Sequence, residues 1–301
     1  MAQGGTRASG ERAHRLGVVV NLALALLKIA GGWLSGSLAL LADGYHSLAD
    51  LVTNGVAWFS FRVAARPADA DHHYGHGKAE AAAGVFVGLV LIGAGLKVLW
   101  DALGASGPVY SGPLALLAMG IAFVSVAANE WLVFVTKRAA RSFDSLALAA
   151  LARDNRSDSL TSVLVIVGVG GGQIGLRWAE PFVTAIIGAL IMTMGGRSLR
   201  ESGDILMDRV SDLNLRERIL ERARAVPGVR GVQTVKVHPL GGRHRVDMEI
   251  SVDGELSVRE GHAIAHAVER EVTSAMRAVD HVAVHVNPAE EAGPDERVPG
   301  P

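Results

Sequence analysis

Six stretches of mainly apolar sequence, each near the length needed to cross a bilayer, constrain this chain more than any other feature. They run over Leu16–Leu34, Leu38–Phe61, Ala79–Trp100, Pro113–Thr136, Ser145–Leu176 and Pro181–Leu199. A bilayer core takes about 20 helical residues. Half of the 301 residues are hydrophobic and the mean hydropathy is +0.30, too apolar for an ordinary soluble protein of this size. Charged residues are sparse from Leu16 to about Arg197 and dense after it. Such a break separates a membrane part from a soluble domain.

The boundaries follow. Residues 1–15 are polar and rich in Gly, Ala and Ser, and are expected to form a short disordered cytoplasmic tail. The apolar run after them lacks a convincing cleavage site and is followed by further spans, so it reads as a retained helix and not a signal peptide. Residues 16–208 are expected to form a six-helix transmembrane domain, 209–288 a soluble one, and 289–301, rich in Pro, Gly and Glu, a second disordered tail. Basic residues set the orientation. Arg7, Arg12 and Arg15, then Arg62, Arg66 and Lys78, then Lys137, Arg138 and Arg141, then Arg197 and Arg200 all fall on one side, whereas the opposite loops hold only Arg177. With an even number of spans, both termini are expected in the cytoplasm.

Beyond Asp212 the period changes. Leu213–Val226 is a charged amphipathic helix stopped by Pro227-Gly228. Val229–His238 and His244–Val252 alternate like strands, Ser257–Met276 reads as a helix, and His281–Asn287 as a third strand. The order α-β-β-α-β suits a small α+β domain with helices on one sheet face. In the spans, Gly84 and Gly88 have the spacing of close helix approach, while Gly168 and the run Gly170–Gly172 allow either packing or a bend in the fifth span.

Several classes of function drop out. The chain has no cysteine, which removes disulfides, thiolate metal sites and cysteine nucleophiles. A net charge of −1 gives no reason to expect nucleic acid. No phosphate-binding P-loop, H-E-x-x-H or G-x-S-x-G occurs, so an enzyme is not expected, and uphill transport would need an ion gradient.

Ionisable side chains inside a membrane span cost at least ~2.5–3.5 kcal/mol each at the centre, which makes them functional candidates. His46 and Asp50 are four apart in the second span, and Asp154 and Asp158 are four apart in the fifth. Each pair shares a helix face, and two such helices can surround one ion with an imidazole and three carboxylates, a donor set for zinc or a related first-row ion. The competing reading is burial as ion pairs with Lys28, Arg153 or Arg156. Asp43 lies on nearly the same face as Asp50, outside this ligand set. The loop from Asp69 to Lys78 crowds Asp69, Asp71, His72, His73 and His76 together, as a metal site or as a solvated polar loop. In the soluble part His238, His262 and His285 lie on two strands and a helix.

On these residues the chain resembles the cation diffusion facilitator family of metal/proton antiporters, from about Leu16 to Pro288. The specific pieces are L-L-A-D-G-Y-H-S-L-A-D at 40–50, H-H-Y-G-H-G-K-A-E at 72–80 and R-S-D-S-L-T-S at 156–162. The resemblance implies a transport metal site of His46, Asp50, Asp154 and Asp158, and a loop metal site of Asp69, His72 and His76. It further implies a cytoplasmic domain of metallochaperone-like α+β fold, with metal ligands at His238, Asp247, His262, His285 and Asn287. Lys78 and Asp208 match a charge interlock at the membrane border, and the assembly is expected to be a homodimer. Asp154 stands where typical zinc members offer His or Asp, and Asp247 and Asn287 replace stronger ligands of the cytoplasmic site.

The function expected is export of a divalent transition metal, most of all Zn2+, by proton-coupled antiport with alternating access. Mn2+ or Fe2+ is the alternative cargo, and Co2+ and Cd2+ are further ions the sites could take. The substrates are metal ions and protons, the surroundings a lipid bilayer (expected to be the bacterial inner membrane), and no organic cofactor is implied. Two readings of other classes compete: a transport-inactive sensor or partner subunit, and a membrane metalloenzyme, for which the four-ligand set leaves little room.

Overall fold

The computed structural model describes residues 2–105, 112–143, 146–210, 212, 214–240 and 242–289, with the side chains of 2–15, 142, 143, 146 and 147 left out. Six long helices come first: α1 (Ala2–Ser35), α2 (Leu38–Ala64), α3 (Ala79–Gly104), α4 (Pro113–Phe143), α5 (Leu146–Gln173) and α6 (Ala179–Leu206). Then follow α7 (Leu215–Arg224), β1 (Gly231–Leu240), β2 (Arg243–Val252), α8 (Val258–Ala275) and β3 (Val279–Pro288). The element order is the one read from the sequence. Its ends differ: α4 and α6 run about a turn or more past the apolar stretches, because helical hydrogen bonding does not stop where hydropathy does. The expected start of the fifth span, Ser145, and of the first soluble helix, Leu213, lie outside the described residues.

The chain divides into two compact units, Met1–Val56 with Val85–Leu199, and Ala57–Gly84 with Arg200–Pro301. Among the described residues, four helices are long and apolar enough to cross a membrane: α1 from Leu16, α3, α4 and α6. The remaining long helices, α2 and α5, carry the ionisable residues. Large apolar side chains such as Trp33, Phe86, Trp100, Phe123 and Phe182 cover the outside, as expected of a surface facing lipid tails. The interior is made of small and branched residues, among them Ala39, Ala42, Ala118, Ala122, Val165 and Ile187. Small residues let helices approach closely where no hydrophobic force drives them together.

Glycine does the same between α3 and α6. A Cβ on Gly195 would stand 2.7 Å from the Gly88 carbonyl oxygen, and one on Gly95 2.8 Å from that of Gly188. On α5, a Cβ on Gly171 would stand 2.7 Å from the Ala179 Cβ, and Gly168 meets Val183. Gly168 and Gly171 therefore serve packing against α6, and the helix continues to Gln173 without a break. At the start of α2, Ser37 Oγ accepts from the Leu40 N–H (3.2 Å) and donates to the buried Glu180 (2.7 Å), which joins the first turns of α2 and α6.

In the second unit a three-stranded sheet has the order β1-β2-β3, with β1 and β2 antiparallel and β2 and β3 parallel. The parallel pair requires a crossover, and α8 supplies it. A capping box of Ser257 and Glu260 starts α8. Val235, Val246, Met248, Ile250 and Val282 point into one core with Ile219 of α7 and Val268 of α8. Alternation along the strands then puts His238, Arg245, Asp247, Glu249 and His285 on the opposite sheet face.

Candidate metal transport site

α2 and α5 bring their ionisable faces together. His46 Nε2 lies 4.0 Å from Asp50 Oδ2 on its own helix and 3.9 Å from Asp158 Oδ1 on α5. Ligand atoms of all three lie within 4.8 Å of one another. These separations exceed hydrogen-bond length. They are about 0.6–0.7 Å wider than the ~3.3 Å between donors on a tetrahedral zinc with ~2.0 Å bonds. Both ring nitrogens of His46 and Asp158 Oδ1 are buried without a hydrogen-bond partner. Buried polar atoms are nearly always partnered, so His46 Nε2 and Asp158 Oδ1, which face each other, are what a cation cargo would satisfy.

Asp154, expected in the same set, is not in that group. It lies one turn before Asp158 and is exposed on the surface of the chain. Burial is graded along the site: the Asp43 side chain is 0% exposed, those of His46 and Asp158 6% and 7%, and that of Asp50 31%. The group therefore opens toward the Asp50–Asp154 end and is closed toward Asp43. Of the competing ion pairs, Lys28 takes Asp43 at 3.0 Å, and Arg156 takes Glu130 of α4. Among the described residues, the close charged contacts of His46, Asp50 and Asp158 are with one another.

The loop group also assembles. Asp69 Oδ1 accepts from the backbone N–H groups of His72 (2.7 Å) and Asp71 (3.1 Å). His72 Nδ1 lies 3.1 Å from the same oxygen and His76 Nε2 3.3 Å from Asp69 Oδ2. Gly75, at φ +77°, makes the turn that folds His76 back. The His72 N–H, first among these contacts, holds the Asp69 carboxyl below its ordinary range.

In the second unit Lys78 Nζ lies 3.1 Å from Asp208 Oδ1, the pair expected to form a charge interlock. Asp208 Oδ2 is also 3.0 Å from His238 Nδ1, and His238 Nε2 is 3.5 Å from Asp247 Oδ2. His238 thus stands between two carboxylates, one of which, Asp247, is itself an expected ligand. His262 sits on α8 with its ring 4.4 Å from that of His266. His285 faces Glu249 in the β2–β3 register, and Asn287 donates to Gln233 at 2.7 Å. That His285 faces a carboxylate depends on strand register, which the parallel crossover sets and the sequence does not show.

The transmembrane part, residues 15–207, matches the model of the cation efflux transmembrane domain, and residues 212–289 match that of the cation efflux protein cytoplasmic domain. This chain belongs to the cation efflux, or cation diffusion facilitator, family. Its members are transporters and not enzymes, and the activity that follows is divalent metal-cation efflux. The uncharacterized transporter YdbO of Bacillus subtilis is 32% identical, over 93% of this chain and 96% of that one. The manganese efflux system protein MneS of the same organism is 29% identical, over 94% and 97%. Metal tolerance protein C1 of Arabidopsis thaliana is 30% identical over 93% of this chain, which spans 63% of that relative's length. A solved fragment, MamM-CTD 215-293, is 35% identical over 25% of this chain and 94% of its own, at a TM-score of 0.24.

Proposed function

We propose that this cation efflux protein exports Zn2+ from the cytoplasm in exchange for protons, through a site of His46, Asp50, Asp154 and Asp158. The observation that carries the reading is the convergence of His46, Asp50 and Asp158, whose buried ring nitrogens and carboxylate oxygen have no other partner. A hydrated ion arriving from the Asp154 side exchanges its waters for these donors. Asp154, on the same helix face as Asp158, meets it first. The imidazole and the carboxylates also bind protons, so metal and proton compete for the same atoms, and protonation from the far side favours release. Alternating exposure of one site to two sides then couples the two flows. The resident membrane is the cell membrane, both termini lie in the cytoplasm, and two copies pair through the soluble domain, a reading supported by the cytoplasmic-domain match and the one-sided basic loops.

Manganese is the second reading. Three carboxylates to one imidazole make an oxygen-rich set, and oxygen ligands suit Mn2+; two of the relatives, MneS and MneP, are named manganese efflux proteins. Zinc is placed first because a neutral imidazole and a small, tetrahedral set of donors bind it more tightly than manganese. Purified protein in proteoliposomes, loaded with a pH-sensitive dye and offered each metal in turn, tests both statements. Zinc flux with opposing proton movement is expected. Metal flux without proton movement under an imposed pH gradient contradicts antiport, and flux of manganese but not zinc replaces the cargo.

A further inference from the structure

One turn from the metal ligands, on the closed side, lies a buried ion pair that the transport scheme does not use. Lys28 of α1 is 1% exposed, the largest of the fully buried side chains among the described residues, and Asp43 of α2 is 0% exposed. Lys28 Nζ lies 3.0 Å from Asp43 Oδ2 and donates to Ser47 Oγ at 3.0 Å. Asp43 is also bonded to α5: Thr161 Oγ1 lies 2.8 Å from its Oδ1 and Ser162 Oγ 2.7 Å from its Oδ2. Thr161 Oγ1 is at the same time 2.9 Å from the backbone carbonyl of Asp158. The hydroxyl has one proton, so Asp43 and the Asp158 turn share it.

We propose that Lys28 and Asp43 are positioning residues of the metal site: Asp43 fastens α2 to α5 on its closed side, Lys28 of α1 holds Asp43 in place, and together they set the spacing between the His46–Asp50 pair and Asp158. The inference rests on the proposed transport site. Its physical ground is arithmetic on the helices. Asp43 precedes His46 by three residues, and Thr161 and Ser162 follow Asp158 by three and four, so the fastening and the ligands occupy successive turns of the same two helix faces. A buried ion pair is a poor source of stability compared with apolar residues of similar volume, and an ionised pair inside a span is costly. Its use is geometric. Asp43 is held by donors from two other helices at once, and α2 cannot move away from α5 without breaking the bonds from Thr161 and Ser162 to its buried carboxylate. Groups that orient metal ligands from one layer out act on affinity and selectivity through the ligands they hold.

The test uses the full-length protein in proteoliposomes, with zinc and manganese chloride as probes. Thr161→Val with Ser162→Ala removes both α5 donors and keeps the ion pair. The expected result is a rise in KM for zinc of about tenfold, the usual scale for loss of such partners, with the maximal rate much less affected and the zinc-to-manganese preference flattened. Thr161→Ser, which keeps a hydroxyl, is expected to retain the wild-type KM. A purely structural role would lower the melting temperature and leave KM and metal preference alone; that outcome overturns the proposal. Should the double variant not fold, Lys28→Met with Asp43→Leu replaces the ions by apolar groups of similar size, and wild-type KM and preference there overturn it equally. Asp158→Asn in the same assay separates the two levels. If it transports as wild type, the site itself is wrong and the positioning role falls with it. If it is inactive while the Thr161 and Ser162 variants keep wild-type KM, only the positioning role falls.

Discussion

His46 on α2 and Asp158 on α5 face each other across 3.9 Å with no hydrogen bond between them. Neither ring nitrogen of His46 finds another partner, and neither does Asp158 Oδ1. Groups that polar are not left unpaired in a membrane interior without use, and the distance is one that a cation closes.

Asp154 is the exposed member of the set, so its role should be graded. Asp154→Asn is expected to slow zinc flux about tenfold, the lower end of what outer partners of a metal site contribute, and less than Asp50→Asn does. Asp154→His should shift preference toward zinc and away from manganese, because an added nitrogen donor suits zinc. Competition between the two metals in one flux assay checks both. An unchanged ratio would place selectivity elsewhere.

Close packing of α3 on α6 depends on Gly195, whose Cβ would fall 2.7 Å from a backbone oxygen. Gly195→Ala is expected to cost about 1–3 kcal/mol, the scale of overpacking in a filled core. Gly196, with nothing within 4 Å of its Cβ position, is the control; Gly196→Ala should leave the melting temperature in detergent unchanged.

Asp208 combines an ion pair with a left-handed backbone at φ +61°. Asn tolerates that conformation and Ala does not, by roughly 1–2 kcal/mol. Asp208→Ala should therefore melt below Asp208→Asn, although both lose the charge. Partial burial works against the Asp208 carboxylate, but hydrogen bonds and charge from Lys78 and His238 outweigh it and hold the group below its ordinary range. Arg218 does the same for Asp212. A carboxyl with a lower pKa folded than unfolded stabilises the fold above its unfolded value, ~3.9 for Asp, and that stabilisation disappears as pH falls through the folded value. Thermal melts taken downward from pH 5 should show stability falling below about pH 4, with a shallower fall in Asp208→Asn.

The soluble domain offers a second zinc test. Glu249 and His285 sit opposite each other on the open sheet face. Equilibrium zinc binding to the detergent-solubilised full chain should lose its soluble-domain component in Glu249→Ala with His285→Ala and keep the transport-site component. Identical binding in wild type and variant would make these side chains bystanders.

Much of this was legible beforehand, for reasons that can be named. Four spans announce themselves by hydropathy, and the other two by charge pairs spaced one helical turn apart, which an apolar run does not carry by accident. Local periodicity also gave the α-β-β-α-β order. What stayed hidden depends on distant partners. Asp43 looks like a neighbour of the ligand set, and only its bonds to Thr161 and Ser162, more than a hundred residues away, reveal a fastening. His238 looked like a metal ligand alongside His262 and His285. Strand register and the turn at Asp208 set it between Asp208 and the expected ligand Asp247, a placement the sequence does not show. The exposure of Asp154 was invisible because i, i+4 spacing fixes a face and not its depth.

The most direct measurement is zinc uptake by proteoliposomes containing wild-type protein, Asp50→Asn or Asp158→Asn, each checked for folding by size-exclusion chromatography. The account predicts saturable zinc flux in the wild type and none above protein-free vesicles in either variant. Wild-type flux in both folded variants would contradict it.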